Sequence, residues 1–215
     1  MIKNRIVKYY AQRDPNIAIK VVNGHFVSTN SHLNTFLDMT TMKTRQNEAE
    51  RIAVAMTDYY NVMSKPIDTI VCLDGCEVIG AFLAKELSRS GILSLNAHKT
   101  IYVVTPEFNS NGQMMFRDNL KPEIYGKNVL LLLASSSTGW TVRNSIECIE
   151  YYGGILQGIS AIFSAVDSVD GHVIDSIFRS EDIPEYAIYP AHDCPLCKTG
   201  QRVEALVNSY GYSEL

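Results

Sequence analysis

The chain has 215 residues, 46% of them hydrophobic, and a formal net charge of −4. That length and apolar content supply one domain with a sizeable core, and an acidic balance without a clustered basic excess excludes a nucleic-acid backbone as the main partner. No apolar run reaches the roughly 18 residues of a membrane span and no export signal is recognised behind Met1-Ile2-Lys3-Asn4-Arg5, so no membrane association is expected and a cytoplasmic location is, with the five cysteines (Cys72, Cys76, Cys148, Cys194, Cys197) as reduced thiols.

Lys3 to Arg13 mixes apolar and polar residues at a spacing that suits a first helix. Ile17 to Val27 alternates, and Asn23-Gly24 within it is a type I′ turn signal, so a hairpin is expected there. Asn47 to Met63 predicts a helix, because Ile52, Met56, Tyr59, Tyr60 and Met63 recur at helical spacing and Pro66 closes it. Thr69-Ile70-Val71-Cys72-Leu73 is a short buried strand, Asp74-Gly75-Cys76 a tight loop, and Glu77 to Ser90 a helix ended by Gly91.

Thr100 to Val104 is the next strand, followed by a polar segment from Pro106 to Gly126 that contains Asn111-Gly112. Val129 to Leu133 is the third strand, Val142 to Tyr152 its helix, Gly153-Gly154 the stop and Ile155 to Phe163 the fourth strand. Strand and helix take turns, which predicts an α/β fold: a mainly parallel twisted sheet with helices on both faces. After Ala165 the pattern weakens, with Ile183-Pro184 and Tyr189-Pro190 as breaks. Residues 166–215 are therefore expected to form a loop-rich extension packed on the sheet edge, within a single domain whose α/β core is 46–165.

The stretch with most chemical content is Asn128-Val129-Leu130-Leu131-Leu132-Leu133, running into Ala134-Ser135-Ser136-Ser137-Thr138-Gly139-Trp140-Thr141 and then a helix. A buried strand, a turn of small hydroxylated residues and a helix start make a phosphate cradle, since the first-turn N–H groups and the positive end of the helix dipole favour an anion. Ser135, Ser136, Ser137, Thr138, Gly139, Trp140 and Thr141 are the candidate phosphate-binding residues. The plainer alternative is a turn in which Ser or Thr caps the helix and nothing binds. Ligands of open α/β sheets sit beyond the carboxyl ends of the strands, so the loop of Asp74, Gly75, Cys76 and Glu77 is expected to share the ligand. Acids in a first helical turn also simply complement the dipole, and both would repel a pyrophosphate unless magnesium intervened.

At these residues the sequence resembles the type I phosphoribosyltransferases, in particular their orotate-type members. Cys72-Leu73-Asp74-Gly75-Cys76-Glu77-Val78-Ile79-Gly80-Ala81 is similar to the family's pyrophosphate loop and following helix, and Ser137-Thr138-Gly139-Trp140-Thr141-Val142 with Gly153-Gly154-Ile155 to its 5′-phosphate loop, helix and next strand. Gly24-His25-Phe26-Val27 and Thr29 to Phe36 resemble its hood, so that residues 1–45 become an amino-terminal helix and hood hairpin. Asp193 to Gly200 resembles a Cys-Pro-Leu-Cys segment of some orotate-type members. The resemblance implies a phosphoribosyl pyrophosphate or nucleotide ligand, transfer of phosphoribosyl to a nucleobase, magnesium with the phosphorylated ligand, and a homodimer.

Two departures bear on that activity. The family places two acids before the phosphate loop to hold the ribose hydroxyls, where this chain has Leu133 and Ala134. Orotate-type members carry Arg and Lys on a mobile lid, but Thr105 to Gly112 here contains no cation, and only Arg117 and Lys121 follow. No residue is therefore assigned a catalytic role, and a non-catalytic sensor of nucleotides or phosphorylated sugars is the alternative. A third, a hydrolase or lyase using Asp74 or Glu77 as its acid–base group, is the least supported.

His192, Cys194 and Cys197 have the spacing of half a zinc site, but no second pair follows in sequence, and Cys72 and Cys76 complete a set only if the carboxy-terminal segment folds back over the first loop. No metal ligand is assigned. His25 and His32 are read as histidines satisfied by local hydrogen bonds. The tyrosine pairs (Tyr9, Tyr10, Tyr59, Tyr60, Tyr151, Tyr152) read as core or dimer surface.

Overall fold

A computed structural model describes residues 2–29, 31–63, 65–89, 95–97, 100–110 and 112–215, with the backbone alone at 3 and 61–63. The helix stop expected at Gly91 and Asn111 of the expected turn lie outside them. The amino-terminal part forms β1 (Val7–Tyr10), β2 (Ala18–Val27) and β3 (Ser31–Asp38), then helices α1 (Thr40–Thr44) and α2 (Gln46–Met63). The core follows as β4 (Thr69–Cys72), α3 (Glu77–Arg89), β5 (Tyr102–Val104), a small hairpin of β6 (Glu107–Phe108) and β7 (Met114–Met115), β8 (Asn128–Ser136), α4 (Trp140–Tyr151) and β9 (Ile155–Ser164). β10 (Ser168–Val169), β11 (His172–Arg179), β12 (Ile188–Pro190), α5 (Pro195–Lys198), β13 (Ala205–Asn208) and β14 (Gly211–Glu214) complete the chain.

The central sheet has the order β10-β11-β9-β8-β4-β5 and is parallel from β11 to β5. β8 is apolar from Val129 to Ala134 because both its faces are covered there. Leu130, Leu132 and Ala134 pack with Ile52 and Met56 of α2 and Ile79 and Leu83 of α3, whereas Leu131 and Leu133 pack with Val142, Ile146 and Ile149 of α4. The layered α/β architecture expected from the alternation of elements is thus present. No described helix is long and apolar enough to cross a membrane.

A second sheet, the hood, has the order β12-β3-β2-β13-β14, with β1 also on β2. Here the expectations need correcting. Lys3 to Arg13 is not a helix: Ile2–Arg5 is a 3-10 turn, and Val7 to Tyr10 pair antiparallel with Ala18 to Val21. Aromatic and β-branched Val7, Tyr9 and Tyr10 suit a strand, and Asp14 turns the chain back by accepting the N–H of Asn16 at 2.8 Å.

Asn23-Gly24 is not a turn either. β2 runs straight through it, with a bulge between Asn23 and Phe26, and the hairpin closes later, where Ser28 N–H donates to the Ser31 carbonyl at 2.8 Å. Glycine is needed at 24 for close approach, since a Cβ there would lie 2.5 Å from Glu204 Oε1 and 2.8 Å from the Phe26 ring.

The segment after Ala165 is less loop-rich than its sequence suggests and does not merely pack on the sheet edge. β11 joins β9 as a buried parallel strand, and β12, β13 and β14 enter the hood. Arg13 pairs with the buried Asp175 of β11, which ties the amino-terminal segment to the core. Beside this pair Ser160 of β9, the register partner of Asp175, shares a hydrogen bond of 2.8 Å with Tyr60 of α2.

Candidate functional site

β8 continues through Ser135 and Ser136, so the loop proper begins at Ser137. Gly139 sits at φ 79° and ψ −3° directly before α4. A Cβ at that position would also meet Val169 Cγ2 at 2.7 Å, so both backbone and space demand glycine. No side chain caps the first turn of α4, and that turn contains no acid. The expectation that a Ser or Thr simply caps this helix therefore fails, and the N–H groups of the first turn face no competing carboxylate on their own helix.

Ser137, Thr138, Trp140 and Thr141 are exposed around this point. Ser136 differs from these in that its hydroxyl is buried and has no hydrogen-bond partner among the described residues. Trp140, 61% exposed, lines a separate groove of about 810 Å³ with Phe108, Met114 and Tyr151.

The Asp74 loop projects from the neighbouring strand β4. Asp74 (φ 58°) and Gly75 (φ 76°) are both left-handed, a tight reversal closed by the Cys76 N–H donating to the Leu73 carbonyl at 3.0 Å. The conformation aims the Asp74 carboxylate sideways, where Oδ2 accepts the Ala134 N–H at 3.2 Å. The Asp74 loop is therefore bonded to β8 near its carboxyl end, three residues before the phosphate-type loop begins. Cys76 is not a ligand-facing residue: its side chain is buried in the core, and burial with the nearby Asp74 charge pushes its thiol well above the usual range. Glu77 stands in the first turn of α3 and accepts the Thr105 hydroxyl at 3.1 Å, tying this loop to the end of β5.

A lysine that the sequence did not single out completes this corner. Lys43, in the last turn of α1, is 5% exposed, and its ammonium donates to the carbonyl oxygens of Asp74, at 2.6 Å, and of Ser209 between β13 and β14. It also lies 5.5 Å from the centre of the Tyr210 ring. A buried cation with neutral partners is costly unless well solvated by dipoles, and these two carbonyls join the pyrophosphate-type loop to the hood. Nothing local in Met42-Lys43-Thr44 signals this, because both partners are distant in sequence.

Between hood and core lies a cleft of about 150 Å³. Ser135, Ser137 and Phe163 line it from the core, and Leu33, Thr35 and Asn208 from the hood. Of the phosphate-type loop, Ser137 reaches this cleft, whereas Trp140 and Thr141 line the separate groove. The late cations do not reach this corner by the contacts they make. Arg117 is held by Glu107 at 2.6 Å at the base of the β6–β7 hairpin, and Lys121 by Asp118 at 2.7 Å.

Of the expected half zinc site, His192 is exposed and stands outside the cluster that Cys194 and Cys197 form. Cys72 and Cys76 remain buried in the core. It is His25 and His32 that meet the two cysteines. Among the tyrosines, Tyr60 is core, whereas Tyr10, Tyr125, Tyr151 and Tyr210 are exposed.

No family model matches the chain. It is 26% identical over 186 residues to the orotate phosphoribosyltransferase of Caldanaerobacter subterraneus subsp. tengcongensis, covering 85% of this chain and 88% of that protein. It is 27% identical over 187 residues to that of Thermus thermophilus, covering 86% and 92%. The solved orotate phosphoribosyltransferase of Mycobacterium tuberculosis superposes with a TM-score of 0.53 at 14% identity, over 77% of this chain and 93% of that one. The fold is that of the type I phosphoribosyltransferases, and the sequence is similar to their orotate-type members over most of its length.

Proposed function

We propose that this chain binds a 5′-phosphorylated ribose ligand in the cleft between hood and core, with the phosphate on the first turn of α4, and transfers phosphoribosyl between pyrophosphate and a nucleobase. The observation that carries this is the uncapped, acid-free helix start at Gly139, approached by a strand end and turn whose Ser135 and Ser137 line the cleft, with Asp74 of the second loop bonded to the same strand at Ala134. The similarity to orotate phosphoribosyltransferases supports transfer to a base, and a pyrimidine is the first base to test.

The residues assign themselves roles within that reading. The backbone N–H groups of Trp140 and Thr141, with the hydroxyls of Ser137, Thr138 and Thr141, hold the 5′-phosphate. The carboxylate of Asp74, brought to the end of β8, takes over hydroxyl recognition from the acids that Leu133 and Ala134 replace. Asp74 and Glu77 are the hard oxygen donors that suit a magnesium ion carried in with pyrophosphate, whose chemistry would be to neutralise charge on the leaving group. Lys43 holds the Asp74 loop in place against the hood. A homodimer, with exposed aromatics such as Tyr151 at its interface, is part of the same proposal.

A second reading has its own observation. Leu133 and Ala134 are fully buried and apolar, and Arg117 and Lys121 are engaged by acids, so charge neutralisation at a transition state is thin. A protein that senses a nucleotide without turning it over would have this site. Pyrophosphate release from phosphoribosyl pyrophosphate with orotate and other bases, measured beside calorimetry with mononucleotides, separates the two. Turnover supports the transferase, and tight mononucleotide binding without turnover supports the sensor. Absence of both removes the proposal.

A further inference from the structure

We propose that His25, His32, Cys194 and Cys197 bind a zinc ion that clamps the carboxy-terminal segment to the hood. The four ligand atoms all lie within 4.8 Å of one another. His25 Nε2 is 2.9 Å from His32 Nδ1, 3.6 Å from Cys194 Sγ and 3.7 Å from Cys197 Sγ, and Cys197 Sγ is 3.4 Å from His32 Nδ1. Tetrahedral zinc with its usual bond lengths sets neighbouring ligand atoms about 3.3 to 3.8 Å apart. Of these four distances only that of the histidine pair is shorter, and a short outward shift of one ring corrects it.

The surroundings are those of a built site. His25 Nδ1 lies 2.8 Å from the Gln201 carbonyl. That contact places the ring proton on Nδ1 and leaves the Nε2 lone pair for a metal, the usual orientation of a metal-bound histidine. The bulge in β2 between Asn23 and Phe26 turns the fully buried His25 toward the cysteines. Cys194-Pro195-Leu196-Cys197 forms one tight turn, in which Lys198 N–H donates to the Cys194 carbonyl at 3.2 Å and Gln201 N–H to that of Leu196 at 3.0 Å. This turn delivers both sulfurs to the same side.

Two thiolates and two imidazoles in a closed set select zinc over magnesium or calcium, and leave no open position for a substrate. The role is structural. The ligands come from β2, from β3 and from the turn before β13, so one ion fastens three pieces of the hood, the sheet that roofs the cleft. The site stands whether or not the transferase reading does.

The test is metal analysis of the full chain, purified without chelator or added histidines, together with cobalt(II) substitution. One zinc per chain is expected, with cobalt giving the visible bands of a four-coordinate thiolate site. Cys197→Ser is expected to lower zinc affinity at least about tenfold and to cut the sulfur-to-cobalt charge-transfer band to about half. If that variant does not fold, native-chain alkylation decides: zinc is expected to protect Cys194 and Cys197, and chelation to expose them, with Cys148 unchanged in both. Less than about a tenth of an ion per chain after incubation with zinc, iron or copper in its place, or equal alkylation with and without zinc would overturn the assignment.

Discussion

The Asp74 carboxylate accepts a hydrogen bond of 3.2 Å from the N–H of Ala134, the residue at the place where the resembling enzymes carry an acid. The strand carries no polar side chain at Leu133 or Ala134, and the carboxylate of the neighbouring loop reaches its backbone there. Asp74→Asn keeps a side chain that tolerates the left-handed backbone and an oxygen that can accept from Ala134. Stability should change by less than about 0.5 kcal/mol. The dissociation constant for phosphoribosyl pyrophosphate with magnesium should rise about tenfold, which is ~1.4 kcal/mol. Unchanged affinity by calorimetry would remove Asp74 from ligand recognition.

The loop hydroxyls are the next target. Ser137 and Thr138 are exposed, so their joint replacement by Ala should leave the fold intact while weakening ribose 5-phosphate at least about tenfold, because hydrogen bonds to a charged group contribute about 1.5 to 3 kcal/mol each. Gly139→Val is a poorer probe. It forces a β-branched residue to φ 79° and into Val169, and should cost about 2 kcal/mol or more in a urea melt before any ligand is added.

Lys43→Met tests the link between hood and core. It removes the donor shared by the Asp74 and Ser209 carbonyls and leaves both without that partner. A loss of about 2 to 3 kcal/mol is expected in chemical denaturation, together with faster hydrogen exchange at Tyr210 and Gly211. Wild-type exchange at that turn would show that the contact does not hold it.

The sequence carries the core sheet openly, because β8 and its neighbours are buried on both faces and helices intervene at regular spacing. The phosphate-type loop is legible for the same reason: strand, turn and helix are consecutive. The hood is not. Its β13 pairs with β2 across nearly the whole chain, and Gly24 looks like a turn residue although it makes room for Glu204. His25 and His32 likewise look like isolated histidines until the turn at Cys194 folds onto them. Lys43 is illegible because burial of a lysine depends on carbonyls supplied by Asp74 and Ser209, one of them at the far end of the chain.

Cys148 gives a pH-dependent check on α4. Burial raises its thiol to about 11, and Sγ donates to the Met114 carbonyl at 3.3 Å. The reactive thiolate is therefore scarce at neutral pH, and its alkylation rate should climb about tenfold per pH unit until the pH approaches that value. A rate already level at pH 8, followed by peptide mass spectrometry, would mean that β7 does not cover this face of the helix.

The most direct measurement is a residue-resolved amide NMR titration with ribose 5-phosphate, and with ribose as the control. Saturable shifts at Gly139, Trp140 and Thr141 that ribose does not produce are the expected result, since the dianion is what the first turn of α4 should recognise. Shifts confined to another surface, or equal shifts with unphosphorylated sugar, would contradict a phosphate site at this helix.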